Sequence, residues 1–426
     1  MFPDTIAAIS TAPGKGGVAV VRISGPDAFA ICAALTGRDA SPGRIMVRDV
    51  LGEECVVLAF KSPRSYTGED VVEIQCHGGI VAPRRILDAT LRSGARLAGR
   101  GEFTRRAFLN GRIGYEAAQA VIDLIDAKTD QAAEAALSGL AGETTRRLRS
   151  CYDAALDIST RIEHSLDIDE GELPPDFING IRAGISSLIE TFRDTIRKLR
   201  TRAIMRHGAL VVLAGEPNAG KSSLFNALVK ENRAIVSATA GTTRDAIEAW
   251  LDIGGWPVRL VDTAGLREST DEIEAEGVRR SEEYISKADV VLSLATPNIL
   301  PAKNDAPSSH PATIRISAKC DLVRGEGLNV SAKTGEGLDA LRTAIADALQ
   351  MLAQSDALSD STDGEEAIAA INAAEAMLQS ALSAANDLVL AGNAVRSAAQ
   401  ILGRFIGAEY SADMLDRLFS RFCVGK

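Results

Sequence analysis

Histidine and cysteine are both scarce in this chain: it has four histidines and six cysteines in 426 residues, with no CxxC pair. Cys32, Cys55, Cys76, Cys151, Cys320 and Cys423 are scattered along the whole length. That excludes a disulfide framework and a structural zinc knuckle, and it points to a reducing cytoplasm. Long apolar runs are also missing, so no membrane span is expected, and Met1-Phe2-Pro3-Asp4 lacks the basic head of a secretory signal. Positive charge is in deficit, with a formal net charge of −10, which argues against non-specific nucleic-acid binding. The cations that exist are nevertheless clustered. Eight arginines fall between Arg84 and Arg112, and a second basic run covers Arg193 to Arg206. Such clusters fit either a localised phosphate-binding surface or solvated faces paired with acidic neighbours.

Against that background one motif is complete. Gly215-Glu216-Pro217-Asn218-Ala219-Gly220-Lys221-Ser222 follows the apolar run Leu210-Val211-Val212-Leu213-Ala214 and precedes a helical start at Ser223-Leu224-Phe225. This is the strand, loop and helix of a phosphate cradle. Glycines let backbone N–H groups converge on phosphate oxygens, Lys221 brings a charge to the β/γ oxygens, and Ser222 offers a hydroxyl to Mg²⁺. A second apolar run, Val258 to Val261, ends in Asp262-Thr263-Ala264-Gly265. There Asp262 suits the metal side, and the Gly265 N–H suits the γ-phosphate. Between them, Ala240-Gly241-Thr242-Thr243-Arg244-Asp245 supplies Thr243 as a further Mg²⁺ ligand, and Ser331-Ala332-Lys333 has the placement of a loop closing over guanine. Four such pieces, in order and at strand ends, predict a guanine-nucleotide switch domain.

One piece departs from the usual pattern. Where such strands end Asn-Lys-x-Asp, this chain reads Ala318-Lys319-Cys320-Asp321. Asp321 keeps the carboxylate for the guanine N1 and 2-amino protons and Lys319 keeps the covering stem, but the amide is lost. GTP is still expected over ATP, with affinity lowered by about 1–2 kcal/mol for one buried hydrogen bond. Thr296 to Thr313, rich in Pro, Ser and Asn, reads as a shortened, mobile connection.

The fold class expected is multidomain. Residues 1–115 read as an α+β N-terminal domain, and 116–206 as the first part of an α-helical bundle domain. Residues 207–350 read as an inserted α/β P-loop domain, and 351–426 as the second part of the helical domain. One bundle interrupted by the nucleotide domain is the simplest geometry, two independent helical domains the alternative. The end, Arg421-Phe422-Cys423-Val424-Gly425-Lys426, reads from spacing as a frayed tail, although a mobile cysteine arm could serve a remote site.

The chain resembles the MnmE/TrmE family of tRNA-modification GTPases. The resemblance rests on Asp4-Thr5-Ile6-Ala7-Ala8, Pro13-Gly14-Lys15-Gly16-Gly17-Val18, Arg22-Ile23-Ser24-Gly25, Tyr66-Thr67-Gly68-Glu69-Asp70 and His77-Gly78-Gly79. It continues through Gly101-Glu102-Phe103-Thr104-Arg105-Arg106-Ala107-Phe108-Leu109-Asn110-Gly111, the nucleotide motifs and the tail. It implies a homodimeric, potassium-dependent GTPase whose nucleotide domains also dimerise. It further implies a heterotetramer with an FAD-dependent partner of the MnmG/GidA family, acting on the wobble uridine of certain tRNAs. A 5,10-methylene- or 5-formyltetrahydrofolate would supply the one-carbon unit, bound in a folate-binding and dimerising N-terminal domain.

Carried over residue by residue, GTP would be held by Asn218, Ala219, Gly220, Lys221, Ser222, Ser223, Ser237, Thr242, Thr243, Asp262, Thr263, Ala264 and Gly265, with Lys319, Asp321, Ser331, Ala332 and Lys333 around the base. Ser222 and Thr243 would hold Mg²⁺, and Asn218, Ser237, Thr239 and Thr242 would hold K⁺. Glu274 matches the position that orients the attacking water, though on spacing alone it is one acid in an acidic stretch. Arg22, Glu73, Arg112 and Lys426 match the folate positions, with Arg112 where the family usually has lysine. Cys423 matches the cysteine linked to the modification chemistry. A ribosome-assembly or RNA-binding switch GTPase, and an N-terminal domain that is only a dimerisation scaffold, are the competing readings.

Overall fold

The computed structural model of the chain describes residues 2–166, 173–216, 218–231, 247–262, 279, 282–295, 312–355, 365–406 and 419–426. In chain order the first elements are β1 (Ile6–Ile9), β2 (Val18–Ser24), α1 (Ala28–Thr36), β3 (Ile45–Val50), β4 (Glu53–Phe60), β5 (Val71–His77), α2 (Val81–Arg92), β6 (Arg96–Leu97) and α3 (Glu102–Leu109). Helices α4 (Tyr115–Asp126), α5 (Asp130–Leu140), α6 (Glu143–Leu166) and α7 (Phe177–His207) follow. Next come β7 (Ala209–Gly215), α8 (Lys221–Glu231), β8 (Ile247–Ile253), β9 (Trp256–Asp262), β10 (Val290–Ala295), β11 (Thr313–Ala318), β12 (Leu328–Val330) and α9 (Leu338–Gln354). The last are α10 (Glu365–Ser383) and α11 (Leu388–Ile406). The chain divides into two compact units. One holds Met1–Ile122, Gly139–Gly142 and Ala408–Lys426, the other Asp123–Ser138 and Glu143–Gly407. Among the described residues no helix is long and apolar enough to cross a membrane.

The first unit is built on a six-stranded sheet in the order β3-β4-β5-β2-β1-β6, antiparallel except for the β1–β6 pair. Side chains alternate along its strands, so each face has its own task. Ala19, Val21 and Ile23 of β2 lie opposite Cys76, Ile74 and Val72 of β5, on the face covered by Ile31 of α1 and Ile86 of α2. The other face carries Arg22 opposite Glu73, and beside them a small cluster of Ile6, Ala8, Ala98 and Phe103.

A buried polar network fixes α3 to this second face. Arg106, 1% exposed, donates to the Glu69 carboxylate at 3.3 Å, to the Asp4 backbone oxygen and side chain at 2.9 Å each, and to Glu102 at 3.1 Å. Ser24 donates to Glu69 at 2.7 Å and therefore accepts its other 2.7 Å bond from Thr67. On the exposed side Arg96 joins Asp4 and Glu102. The arginine cluster between Arg84 and Arg112 is thus no free phosphate surface throughout: Arg106 points inward, Arg96 is ion-paired, and Arg112 donates to the Ser65 carbonyl.

The second unit contains one helical bundle made from both flanks of the nucleotide region. Leu148, Ile158 and Ile162 of α6 and Ile181 to Ile196 of α7 share a core with Ile371 and Leu378 of α10 and Val395 and Leu402 of α11. Among the described residues, no core cluster is built from one flank alone. Of the apolar residues along α4, α5 and α6, Ile125, Leu137 and Leu156 are exposed. The nucleotide region is a sheet in the order β12-β11-β10-β7-β9-β8, parallel except for the edge strand β8. Both faces of β7 are covered, Val211 and Leu213 by a cluster including α8 and α9, Leu210 and Val212 by a smaller one. A strand buried on both faces has to be apolar throughout, as this run is.

Burial alone would raise the carboxyls of Asp4 and Glu102, yet bonds and charge from Arg96 and Arg106 hold both below their usual values. Depressed folded values mean that the unfolded chain binds protons first on acidification. The stabilisation is complete above the unfolded pKa of about 4 and is lost as pH falls through the folded values. Protection of α3 amides, corrected for intrinsic exchange, is therefore expected to fall below about pH 4, less steeply in Glu102→Gln. At neutral pH, Arg106→Met leaves Glu69 buried without its cation, a loss of about 3–5 kcal/mol that should raise α3 exchange by about a hundredfold or more. Hydrogen exchange is the right readout, because the two tryptophans, Trp250 and Trp256, both lie in the second unit. Unchanged α3 exchange in Arg106→Met would show that the network does not hold the helix.

Candidate functional site

The phosphate loop runs from the end of β7 into the first turn of α8, where the helix leaves its first N–H groups without intrahelical partners. Lys221 is buried, and its Nζ donates to the carbonyls of Gly215 at 2.9 Å and Glu216 at 2.8 Å, so the ammonium closes the loop from inside. Asn218 takes a left-handed backbone conformation, φ 61°, uncommon without glycine, and is exposed at the loop tip. Ser222 and Ser223 are exposed at the start of α8. Asp262 is fully buried at the end of β9, in register with Leu213 of β7. Ser222 on the first turn of α8 and Asp262 at the end of β9 bring oxygen donors of the kind that suits Mg²⁺.

The base side is assembled by β11 and β12, which run parallel with Ala318 beside Val330. Their ends place the Lys319–Asp321 turn next to the Ser331–Lys333 loop around a cavity of about 260 Å³. Ser331 donates to the Asp321 carboxylate at 2.7 Å, which fixes its orientation, and the Thr334 N–H donates to Ser331 Oγ at 3.2 Å. Lys319, also left-handed at φ 61°, sends its Nζ to the carbonyl of Asn218 at 3.0 Å and so ties the base loop to the phosphate loop. The same cavity reaches Gly220 and Ser223. Ile316, Leu224, Leu322 and Val330 complete its apolar wall, and no motif marked them in the sequence. Ser237, Thr239, Thr242, Thr243, Thr263, Ala264, Gly265 and Glu274 lie outside the described residues, as does most of the Thr296 to Thr313 segment.

In the first unit, a second constellation forms on the sheet face that α3 covers. Arg22 Nε donates to Glu73 at 2.8 Å, both groups 18% exposed, across the β2–β5 register. The Arg22 guanidinium lies 5.2 Å from the Tyr66 ring centre and 5.6 Å from that of Phe103. Tyr66 bonds Thr104 at 2.8 Å, and burial raises its phenol pKa despite that bond. Arg112 donates to the Ser65 carbonyl at 3.1 Å, next to Tyr66, and the Lys426 oxygen accepts from the Phe103 N–H at 3.1 Å. Arg22 and Glu73 are thereby paired beside Tyr66 and Phe103, while Arg112 is tied to the residue before Tyr66 and the Lys426 main chain to Phe103.

The tail is docked, which corrects the expectation of a frayed end. Phe419 and Phe422 are buried, packed with Ala118, Phe108 and Tyr115. The Gly101 N–H donates to the Cys423 carbonyl at 3.3 Å, and Arg100 and Val424 form an antiparallel bridge. Gly101 permits this approach: it is left-handed at φ 63°, and a Cβ there would lie 2.8 Å from the Phe419 oxygen and 2.9 Å from the Phe422 Cβ. Cys423 is exposed on the docked tail, whereas the other five cysteines are buried.

The chain is similar along its whole length to one family. The family descriptions "GTP-binding protein TrmE N-terminus" and "MnmE helical domain" match residues 5–112 and 116–423. The tRNA modification GTPase MnmE of Symbiobacterium thermophilum is 39% identical over 466 aligned positions, covering 100% of both chains. Its counterpart from Dichelobacter nodosus is 40% identical over 461 positions, covering 99% of both.

The cysteine environments predict a simple labelling result. Burial raises the thiol pKa of Cys32, Cys76 and Cys151, and burial with the nearby Glu53 charge pushes Cys55 up to about 12, so these are poor thiolates. One thiol per folded chain is expected to react rapidly with Ellman's reagent, and Cys423→Ser should remove that phase. A rapid phase that persists in Cys423→Ser would contradict the assignment.

Proposed function

The chain belongs to the MnmE family of tRNA modification GTPases, and from that premise we propose that its GTP hydrolysis drives modification at C5 of the wobble uridine of certain tRNAs. In this reading it works as a homodimer with an FAD-dependent partner of the MnmG/GidA family and adds an aminomethyl or carboxymethylaminomethyl group. The observation that carries the nucleotide half is the gathering of the phosphate loop, Asp321 and Ser331–Lys333 around one cavity beside the start of α8.

The division of labour follows from the chemistry of these groups. Asp321 accepts the N1 and 2-amino protons of guanine, with Ser331 holding its carboxylate in place. Lys221 and the N–H groups at the start of α8 neutralise the β/γ-phosphate oxygens. Ser222, with Thr243 and Asp262, would hold Mg²⁺, while Asn218, with Ser237, Thr239 and Thr242, would hold K⁺. Bound there, these cations would supply positive charge to the phosphate oxygens, the task an arginine performs in other switch GTPases. Glu274 would orient the attacking water, and Thr263, Ala264 and Gly265 would register the γ-phosphate.

For the N-terminal site, Glu73 is the acceptor for the amino edge of a pterin, and Tyr66 and Phe103 offer stacking surfaces. Arg22, Arg112 and Lys426 supply cations for the carboxylates of a folate. A tetrahydrofolate bound there would supply the one-carbon unit. Cys423, exposed on the tail that docks beside α3, is the thiol available to that chemistry.

GTP hydrolysis in KCl is expected to exceed that in NaCl at equal ionic strength by about tenfold or more, and Asn218→Ala should remove the difference. Equal rates in the two salts would reject the potassium role while leaving the GTPase itself standing. Glu73→Ala is expected to weaken 5-formyltetrahydrofolate binding by about tenfold or more, as loss of a charge-assisted pair requires. Unchanged binding in that variant would reject Glu73 as the pterin partner, and absence of binding in the unmutated chain would favour a scaffold role for the N-terminal domain.

A further inference from the structure

Ala318 stands where switch GTPases usually have asparagine, and its methyl lines the base cavity between the apolar side chains of Ile316 and Val330. Guanine presents two kinds of edge, donors at N1 and the 2-amino group, acceptors at O6 and N7. Asp321 is an acceptor-only carboxylate when ionised, and Ser331 fixes its direction at 2.7 Å, so the donor edge has a built partner. O6 adjoins N1 and so would fall beside the Ser331–Lys333 loop. N7 would lie further round the purine, toward the end of β11. There the side chain is a methyl group, and the neighbouring Lys319 ammonium is drawn away to the Asn218 carbonyl at 3.0 Å.

We propose that this chain recognises guanine through its N1, 2-amino and O6 side alone and leaves N7 unread, with Ala318 as the residue that sets this specificity. The inference rests on the GTP reading above and deepens it. Leaving N7 without a donor costs affinity that an asparagine amide would provide, but it leaves the choice of guanine over adenine intact, because that choice is made at Asp321. Substrate tolerance follows: changes at the N7 position are accepted, and changes at the 2-amino position are not.

The test is competition for the full-length chain between a fluorescent GDP analogue and unlabelled GTP, 7-deaza-GTP or ITP. Replacing N7 by carbon is expected to change affinity by less than about twofold, while loss of the 2-amino group in ITP costs about tenfold or more. Ala318→Asn should create a preference for GTP over 7-deaza-GTP of about fivefold, the value of one neutral hydrogen bond. A loss of about fivefold or more for 7-deaza-GTP in the unmutated chain would overturn the inference. That measurement stands even if the asparagine does not fit beside Val330. If GTP itself fails to displace the probe, the GTP reading falls, and this inference falls with it.

Discussion

Helix α7 belongs to two cores at once, and the arrangement of the second unit depends on that constraint. Ile181 to Ile196 are packed in the bundle, while Ile204 and Met205 are part of the core beneath the nucleotide sheet. At 31 residues the helix is about 46 Å long. Its last turn closes at Gly208, whose N–H donates to the Ile204 carbonyl at 2.8 Å, and the chain enters β7 at once. A Cβ at Gly208 would lie 2.2 Å from the Trp250 ring, so the connection leaves no slack there. The phosphate loop is therefore attached to the bundle through one helix and one buried strand. Any shift that the nucleotide imposes on β7 meets a packed helix rather than a flexible linker.

The first unit depends on a different interaction, the buried guanidinium of Arg106. A charge removed from water needs partners on several sides, and here they come from segments far apart in sequence: Asp4 before β1, Glu69 in the loop before β5, and Glu102 one turn back on α3. Ser24 and Thr67 complete the hydrogen bonding of Glu69. Several sequence blocks by which the family is recognised thus meet in one network. What they hold is α3, and α3 carries Phe103, which links Arg22 to the docked tail. Much of the motif content of the N-terminal region is scaffold, and Arg22, Glu73 and Tyr66 lie outside that network.

Legibility in the sequence followed the range of the interactions. The phosphate loop was readable because its function is local: an apolar strand, glycines, a lysine and a helix start within fifteen residues suffice. The cavity beside Asp321 gathers two short strands that each deliver a motif at their end, although its apolar wall carries no signature. The tail was misread because its order depends on Phe419 and Phe422 meeting α4, and on Gly101 allowing the approach, contacts about three hundred residues apart. The arginine cluster was ambiguous for the same reason, since Asp4 and Glu69 are not near it in sequence. Leu148 and Ile162 are buried in the bundle core while Leu137 and Leu156 are exposed, because helical period alone does not say which face has a partner.

The central claim is that one chain couples a guanine-nucleotide cycle to one-carbon chemistry on a tRNA base. The most direct test is to reconstitute the chain with an FAD-dependent partner of the MnmG/GidA family, tRNA, GTP and 5,10-methylenetetrahydrofolate, and to analyse the tRNA nucleosides by mass spectrometry. The account predicts a C5-substituted uridine at the wobble position that requires both GTP and the folate. GTP hydrolysis at full rate with the wobble uridine unchanged, or a modified uridine formed without folate, would contradict it.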